Sequence, residues 1–306
     1  MKYFICFFLL LGCSNERGKL IIFHAGSLAK PIKEMADEFA KLHPGIEIQR
    51  EASGSRMAAQ KVSELNRQAD IIAVSDFLVI EELLMLKYTG WYAKFAINRM
   101  VIAFTDKSKY KDEITSNNWY KILTRPEVNY GRSDHNLDPC GYRTLMVWQL
   151  AELYYGEKNL SKLLDTHCPQ KNIRPAEIEL LPLIETGVLD YAFLYLSIAK
   201  QHGLKYVELP REIDLSDPTL DSLYTKVSVK LKNSTVHGEP IVYAITIPNN
   251  APHSKLAVEF VKFVLGAKGQ EIMKNNGQPS IVPAAIIECE HTCNEISKVP
   301  SELMGQ

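Results

Sequence analysis

From Lys19 to Val74 the chain alternates short apolar runs with amphipathic stretches, and few folds can absorb that order. Gly18-Lys19-Leu20-Ile21-Ile22-Phe23-His24 reads as a buried strand that ends in the turn Ala25-Gly26-Ser27. From Lys30 onward Ile32, Met35, Ala36, Phe39, Ala40 and Leu42 recur at three- and four-residue steps, the period of a helix with one apolar face. His43-Pro44-Gly45 breaks that helix. Ile46-Glu47-Ile48 opens a second strand, Met57 to Asn66 a second helix, and Ala69 to Val74 a third strand. This alternation predicts an α/β fold with a parallel sheet and helices on both faces.

The pattern changes near Asn98. Arg99 to Thr105 is an apolar strand leaving the first unit, and Trp119 to Leu123, Val128 to Gly131 and the helix Tyr142 to Tyr155 read as a second α/β unit. Glu177 to Glu185 and Ile198 to His202 are helical, with the strand Tyr191 to Tyr195 between them. Ile241 to Ile247 is an apolar strand that returns, followed by closing helices over Leu256 to Leu265 and Gly269 to Asn275. One strand out and one strand back predict a discontinuous first lobe, 19–101 plus 241–306, with a second lobe, 102–240, inserted between.

Before this body lies a targeting signal. Lys2 precedes the apolar run Tyr3 to Leu11, which is too short to span a bilayer, and Gly12-Cys13 closes it. Residues 1–13 read as a lipoprotein signal peptide ending at a lipidated Cys13, and 14–18 as its tether. An acyl anchor of this kind holds a folded body at a membrane surface outside the cytoplasm. Lys+Arg is 35 and Asp+Glu 36, a balance that argues against a nucleic-acid partner. Of the six cysteines, Cys140 and Cys168 lie in the body. Cys289 and Cys293 flank His291, where a local disulfide, free thiols or a weak metal motif are the readings.

In open α/β sheets ligands bind at the carboxyl ends of strands, beside helix N-termini. Gly26-Ser27 and Ser53-Gly54-Ser55 both occupy that position, offering hydroxyls and free amides to an anion, though helix capping is the commoner use of such serines. The chain has no Gly-rich nucleotide or Walker motif. In the second unit Asp138-Pro139-Cys140-Gly141 precedes a long helix, Glu177 opens another, and Tyr195 ends a strand aimed at the same cleft.

Together Phe23-His24-Ala25-Gly26-Ser27-Leu28, Ala52-Ser53-Gly54-Ser55, Asp138-Pro139-Cys140-Gly141-Tyr142-Arg143, Gln201-His202-Gly203-Leu204 and Ile247-Pro248-Asn249-Asn250 resemble the tungstate/molybdate-binding proteins of ABC importers, in the branch known from archaea. The resemblance runs from about Lys19 to about Pro283. It implies a two-lobed periplasmic-binding-protein fold of type II with the ligand cleft between lobes. It also implies a receptor rather than an enzyme, with an ABC permease and its ATPase as partners, and a monomer. Serine and backbone donors of the family hold the oxyanion, while one Asp and one Glu ligate the metal centre. By that resemblance Asp138 and Glu177 are the metal-ligating pair, and Gly26, Ser27, Ser55, Cys140 (through its amide) and Tyr195 bind the oxyanion. The segment between Asp138 and Glu177 looks shorter than in archaeal members, although the spacing from Glu177 to Tyr195 fits. No cofactor is implied.

Two other functions compete. A phosphate or other oxyanion receptor would use Asp138 to accept the hydrogen bond of a protonated ligand. An enzyme on the same fold would use Cys140 as nucleophile, its thiol activated at a helix N-terminus.

Overall fold

The computed structural model describes residues 18–289 and 298–304. The signal segment with Cys13, together with His291 and Cys293, lies outside the described residues. β1 (Lys19–Ala25) passes through one 3-10 turn, Gly26–Leu28, into α1 (Ala29–Leu42). β2 (Glu47–Ser53) leads into α2 (Ser55–Ser63), and β3 (Ile71–Val74) into α3 (Leu78–Leu83). After β4 (Trp91–Ile97) the chain crosses at Asn98 and Arg99 into β5 (Met100–Phe104). There follow α4 (Trp119–Leu123), β6 (Tyr130–Ser133), α5 (Pro139–Tyr155), α6 (Leu160–His167) and β7 (Ile173–Arg174). A 3-10 turn, Glu177–Leu180, opens α7 (Leu181–Thr186), and β8 (Tyr191–Tyr195), α8 (Leu196–Gln201) and β9 (Lys205–Glu208) complete the second unit. α9 (Asp221–Tyr224) and the hairpin of β10 (Ser228–Lys230) and β11 (Thr235–His237) precede the return through β12 (Val242–Thr246), α10 (Ser254–Leu265), α11 (Ala267–Asn275) and β13 (Ser280–Glu288).

These strands form two main sheets. The first has six strands in the order β13-β4-β12-β3-β1-β2, and the second has five in the order β7-β6-β8-β5-β9. β1 pairs in parallel with β2 and with β3, as the alternation predicts. The far half of that sheet departs from the expectation of a parallel sheet. β12 is antiparallel to both β3 and β4, and β13 is antiparallel to β4. The sheet is mixed because β12 re-enters from the second unit running against β3 and β4, and β13, joined to β12 through the helices α10 and α11, shares its direction. β4 itself escapes the period analysis because Lys94 interrupts its apolar run. The structure disposes of that charge by stacking Lys94 Nζ 3.4 Å from the centre of the Phe77 ring.

The crossing point also differs from the sequence expectation. A boundary after residue 101 falls inside β5, which pairs along its length with β8 and β9 of the second sheet. The apolar run around Met100 is one strand, so the chain changes sheets before it, at Asn98 and Arg99. Each sheet buries its own helices. On α1, Ile32, Met35, Ala36 and Phe39 are buried at the expected period, and Phe39 packs edge-on against Phe260 of α10 with ring centres 5.1 Å apart. Burying one such phenylalanine contributes about 1.5–3 kcal/mol. α5 runs through the second lobe with Tyr142, Met146, Val147, Trp148 and Leu150 buried. It starts at Pro139, three residues before the apolar pattern begins, because Asp138 caps it and Pro139 suits its first turn. Gly156, in the left-handed region at φ 69°, stops it. No helix among the described residues is long and apolar enough to cross a membrane.

Candidate functional site

The carboxyl ends of β1, β2 and β3 in the first lobe meet the N-terminus of α5 and the turn at Glu177 in the second. The lobes touch. A Cβ on Gly54 would lie 2.4 Å from the Leu137 carbonyl oxygen, and one on Gly26 would lie 2.8 Å from Ile178 Cγ2. The amide of Met57 donates to that same Leu137 oxygen at 3.3 Å, across the interface. The structure is therefore a closed form, and glycine at position 54 is what allows the two backbones to come so near.

Two carboxylates are enclosed there. Asp138 is 3 % exposed and Glu177 2 % exposed. Asp138 uses one oxygen to cap α5, accepting from the Cys140 amide at 3.4 Å, and the other to accept from the Glu177 amide at 2.7 Å. Glu177 Oε2 accepts from the amide of Tyr195 at 3.3 Å, which ties β8 to the pair. The capping reading of Asp138 holds for one oxygen, and the other ties the turn at Glu177 to the start of α5. Neither carboxylate has an ion-pair partner among the described residues. Burial raises both carboxyl groups above the usual carboxylate range, and the charge of Asp138 raises Glu177 further. Among the described residues no group of three His, Cys, Asp or Glu is placed to hold a metal cation.

Donors surround these acids. Ser27 is fully buried at the start of the 3-10 turn, and its side chain caps no helix. Its Oγ receives the Tyr243 hydroxyl at 2.9 Å, and its carbonyl receives Gln278 Nε2 at 2.9 Å. Among the described residues the buried Tyr195 hydroxyl has no hydrogen-bonding partner, an arrangement that costs about 1–3 kcal/mol unless a guest supplies the bond. Ser55 is buried at the first residue of α2, where its Oγ accepts from the Ser75 amide at 3.0 Å and lies 3.0 Å from Ser75 Oγ. Ser53 instead accepts from Lys61 Nζ at 3.0 Å.

Cys140 lies in the first turn of α5 with its amide donating to Asp138 Oδ1 at 3.4 Å. The thiol is fully buried, points to the Phe193 carbonyl at 3.6 Å, and is pushed well above its ordinary pKa by burial and by Glu177. A nucleophilic cysteine needs the opposite shift. Cys168 is likewise a buried free thiol, raised by burial to about 11.

Several contributors escaped the sequence. Asp76 follows β3 at the strand end equivalent to Ser27 and Ser55, and position alone could have flagged it. Its Oδ2 accepts from Arg143 Nη2 at 2.6 Å and from the Tyr142 hydroxyl at 2.7 Å, with Asp76 and Arg143 both fully buried. Arg143 also donates to the Glu239 carbonyl at 2.5 Å. This ion pair crosses from one lobe to the other and pins the first turn of α5 against the first sheet. Asn98 and Tyr243 had no signal at all, because their partners come from distant segments.

Comparison with known proteins agrees with this architecture. The chain is 46% identical to an uncharacterized solute-binding protein of Petrotoga mobilis, over 99% of this chain and 94% of that one. It is 43% identical to the molybdate/tungstate-binding protein WtpA of Pyrococcus abyssi, over 97% of this chain and 94% of that one. Among solved structures, the periplasmic molybdate-binding protein of Azotobacter vinelandii superposes with a TM-score of 0.61 over 87% of this chain and 99% of that one. At 17% identity that likeness concerns the fold, which is the two-lobed type II periplasmic-binding-protein fold. Residues 20–278 match the bacterial extracellular solute-binding proteins, and since that span takes in every residue of the site described above, this chain belongs to that family.

Proposed function

We propose that this protein captures tungstate or molybdate outside the cytoplasm and hands it to an ATP-driven importer. The observation that carries the reading is the enclosed pair Asp138 and Glu177, buried together with no basic side chain paired to either among the described residues. Next to a dianion such a pair costs several kcal/mol if nothing electropositive intervenes. Tungsten and molybdenum can widen their coordination shell and accept carboxylate oxygens, so the pair becomes an attraction. The sulfur of sulfate cannot, and sulfate meets only the repulsion. Ser27, Ser55, Tyr195 and the amides of Gly26 and Cys140 are the donors for the oxo groups in this reading. The relatives' names support the ligand. The importer's permease and ATPase are the expected partners, a monomer the expected state, and Cys13 the expected lipid anchor, with the ligand as cargo and no cofactor.

Thermal denaturation tests the ligand. At a concentration of about 100 Kd, binding adds about 2.7 kcal/mol to the folded state. For a chain of this size that raises Tm by roughly 5 °C. The rise is expected with tungstate and with molybdate and not with sulfate. An equal rise with sulfate would sink the selectivity argument, and a rise with phosphate alone would favour the phosphate-receptor reading.

A further inference from the structure

We infer that Asn98 and Tyr243 form a hydrogen-bond relay that fixes the Ser27 hydroxyl as a donor into the cleft. The inference rests on Ser27 being a ligand of the oxyanion, and it names two positioning residues for that site. The direction of every bond in the relay follows from chemistry. Asn98 Oδ1 accepts from the Arg99 amide at 2.9 Å and from the Ser197 amide at 3.4 Å, both obligate donors, so the orientation of the Asn98 side chain is settled. Its Nδ2 can then only donate, and it does so to Ser197 Oγ and to the Tyr243 hydroxyl, each at 2.8 Å. The Tyr243 oxygen accepts that bond, so its single proton is sent to Ser27 Oγ at 2.9 Å. Ser27 Oγ therefore accepts from Tyr243, and its own proton turns away from Tyr243.

All four side chains are almost wholly buried, at 4 % exposure or less, so water cannot scramble the directions. The relay also draws on both lobes. Asn98 sits at the crossing between the sheets and Ser197 on α8 of the second lobe, while Tyr243 and Ser27 belong to the first. A dianion with only acceptor oxygens needs a donor at this position, and a serine free to rotate would offer one only part of the time.

Replacing the amide by a carboxylate of the same shape reverses the chain. In Asn98→Asp the Tyr243 proton turns to the new carboxylate, Ser27 must donate to Tyr243, and the ligand loses its donor. Titration calorimetry with molybdate is expected to show at least a tenfold loss of affinity for Asn98→Asp. The added charge alone would give the same loss with or without the Tyr243 hydroxyl. In the Tyr243→Phe background the relay is already cut, so Asn98→Asp should there change Kd by less than threefold. Equal factors in the two backgrounds would overturn the relay. Should Asn98→Asp not fold, Tyr243→Phe and Ser27→Ala provide the second test, because their costs must fall well short of adding, and full additivity overturns the relay. If Ser27→Ala alone leaves affinity unchanged while tungstate still binds, the assignment of Ser27 to the site is what has failed.

Discussion

Asp138 and Glu177 give the closed form its own response to pH. Their carboxyl groups are raised by burial in the closed form, so that form holds protons that the open or unfolded chain releases. Its stability is therefore complete below the ordinary carboxylate range, near pH 4, and is lost as pH rises through the raised values. Small-angle scattering of the ligand-free protein is expected to show the closed form near pH 4.5 and opening toward pH 8. Glu177→Gln should flatten that dependence, and a flat profile in the unaltered protein would remove the electrostatic account of the pair. At this scale the sequence was partly legible. Ser27, Asp138 and Glu177 sit at strand ends or helix starts, where local pattern and motif both point. Asn98, Tyr243 and Gln278 act through partners more than 90 residues away, and no local pattern announces such a partner.

Elements bring these residues together, and the limiting contact is backbone on backbone. Gly54 joins β2 to α2 at φ −58° and ψ 143°, a conformation alanine adopts freely. Gly54→Ala therefore leaves the first lobe unstrained by itself. In the closed form its Cβ meets the Leu137 carbonyl at 2.4 Å, so the penalty falls on closure alone. Overpacking of this kind costs about 1–3 kcal/mol. Affinity for molybdate should fall by roughly ten- to a hundredfold while the ligand-free Tm stays put, and a Tm that drops instead would place the strain within the lobe. The first three strands and both flanking helices were readable from period alone. β4 was not, since its lysine finds an aromatic partner only in the folded sheet, and the antiparallel half of the sheet was not, since pairing direction is decided by where the returning chain enters.

Across the whole molecule, the fully buried pair of Asp76 and Arg143 joins the two lobes behind the site. Removing one partner of such a pair leaves a stranded charge and costs about 3–5 kcal/mol. Asp76→Ala should lower the urea midpoint by that measure, and Asp76→Asn, which can still accept from Arg143 and Tyr142, by less. Equal midpoints for Asp76→Ala and the unaltered protein would show that the pair does not hold the lobes. That the molecule has two lobes was legible from one apolar strand out and one back, whereas the bonds between them were not.

β12 occupies the place between β3 and β4, although well over a hundred residues of chain separate it from either. A polypeptide emerging N-terminus first must therefore carry an unfinished sheet, with a strand-wide gap at its centre, through the synthesis of everything from β5 to β11. The inserted unit, β5 to β9, is contiguous and can assemble while its host still waits. Termination between Glu208 and Val242 would leave that early unit intact yet strip the other half of its keystone, so a stalled product should keep no grip on cargo at all.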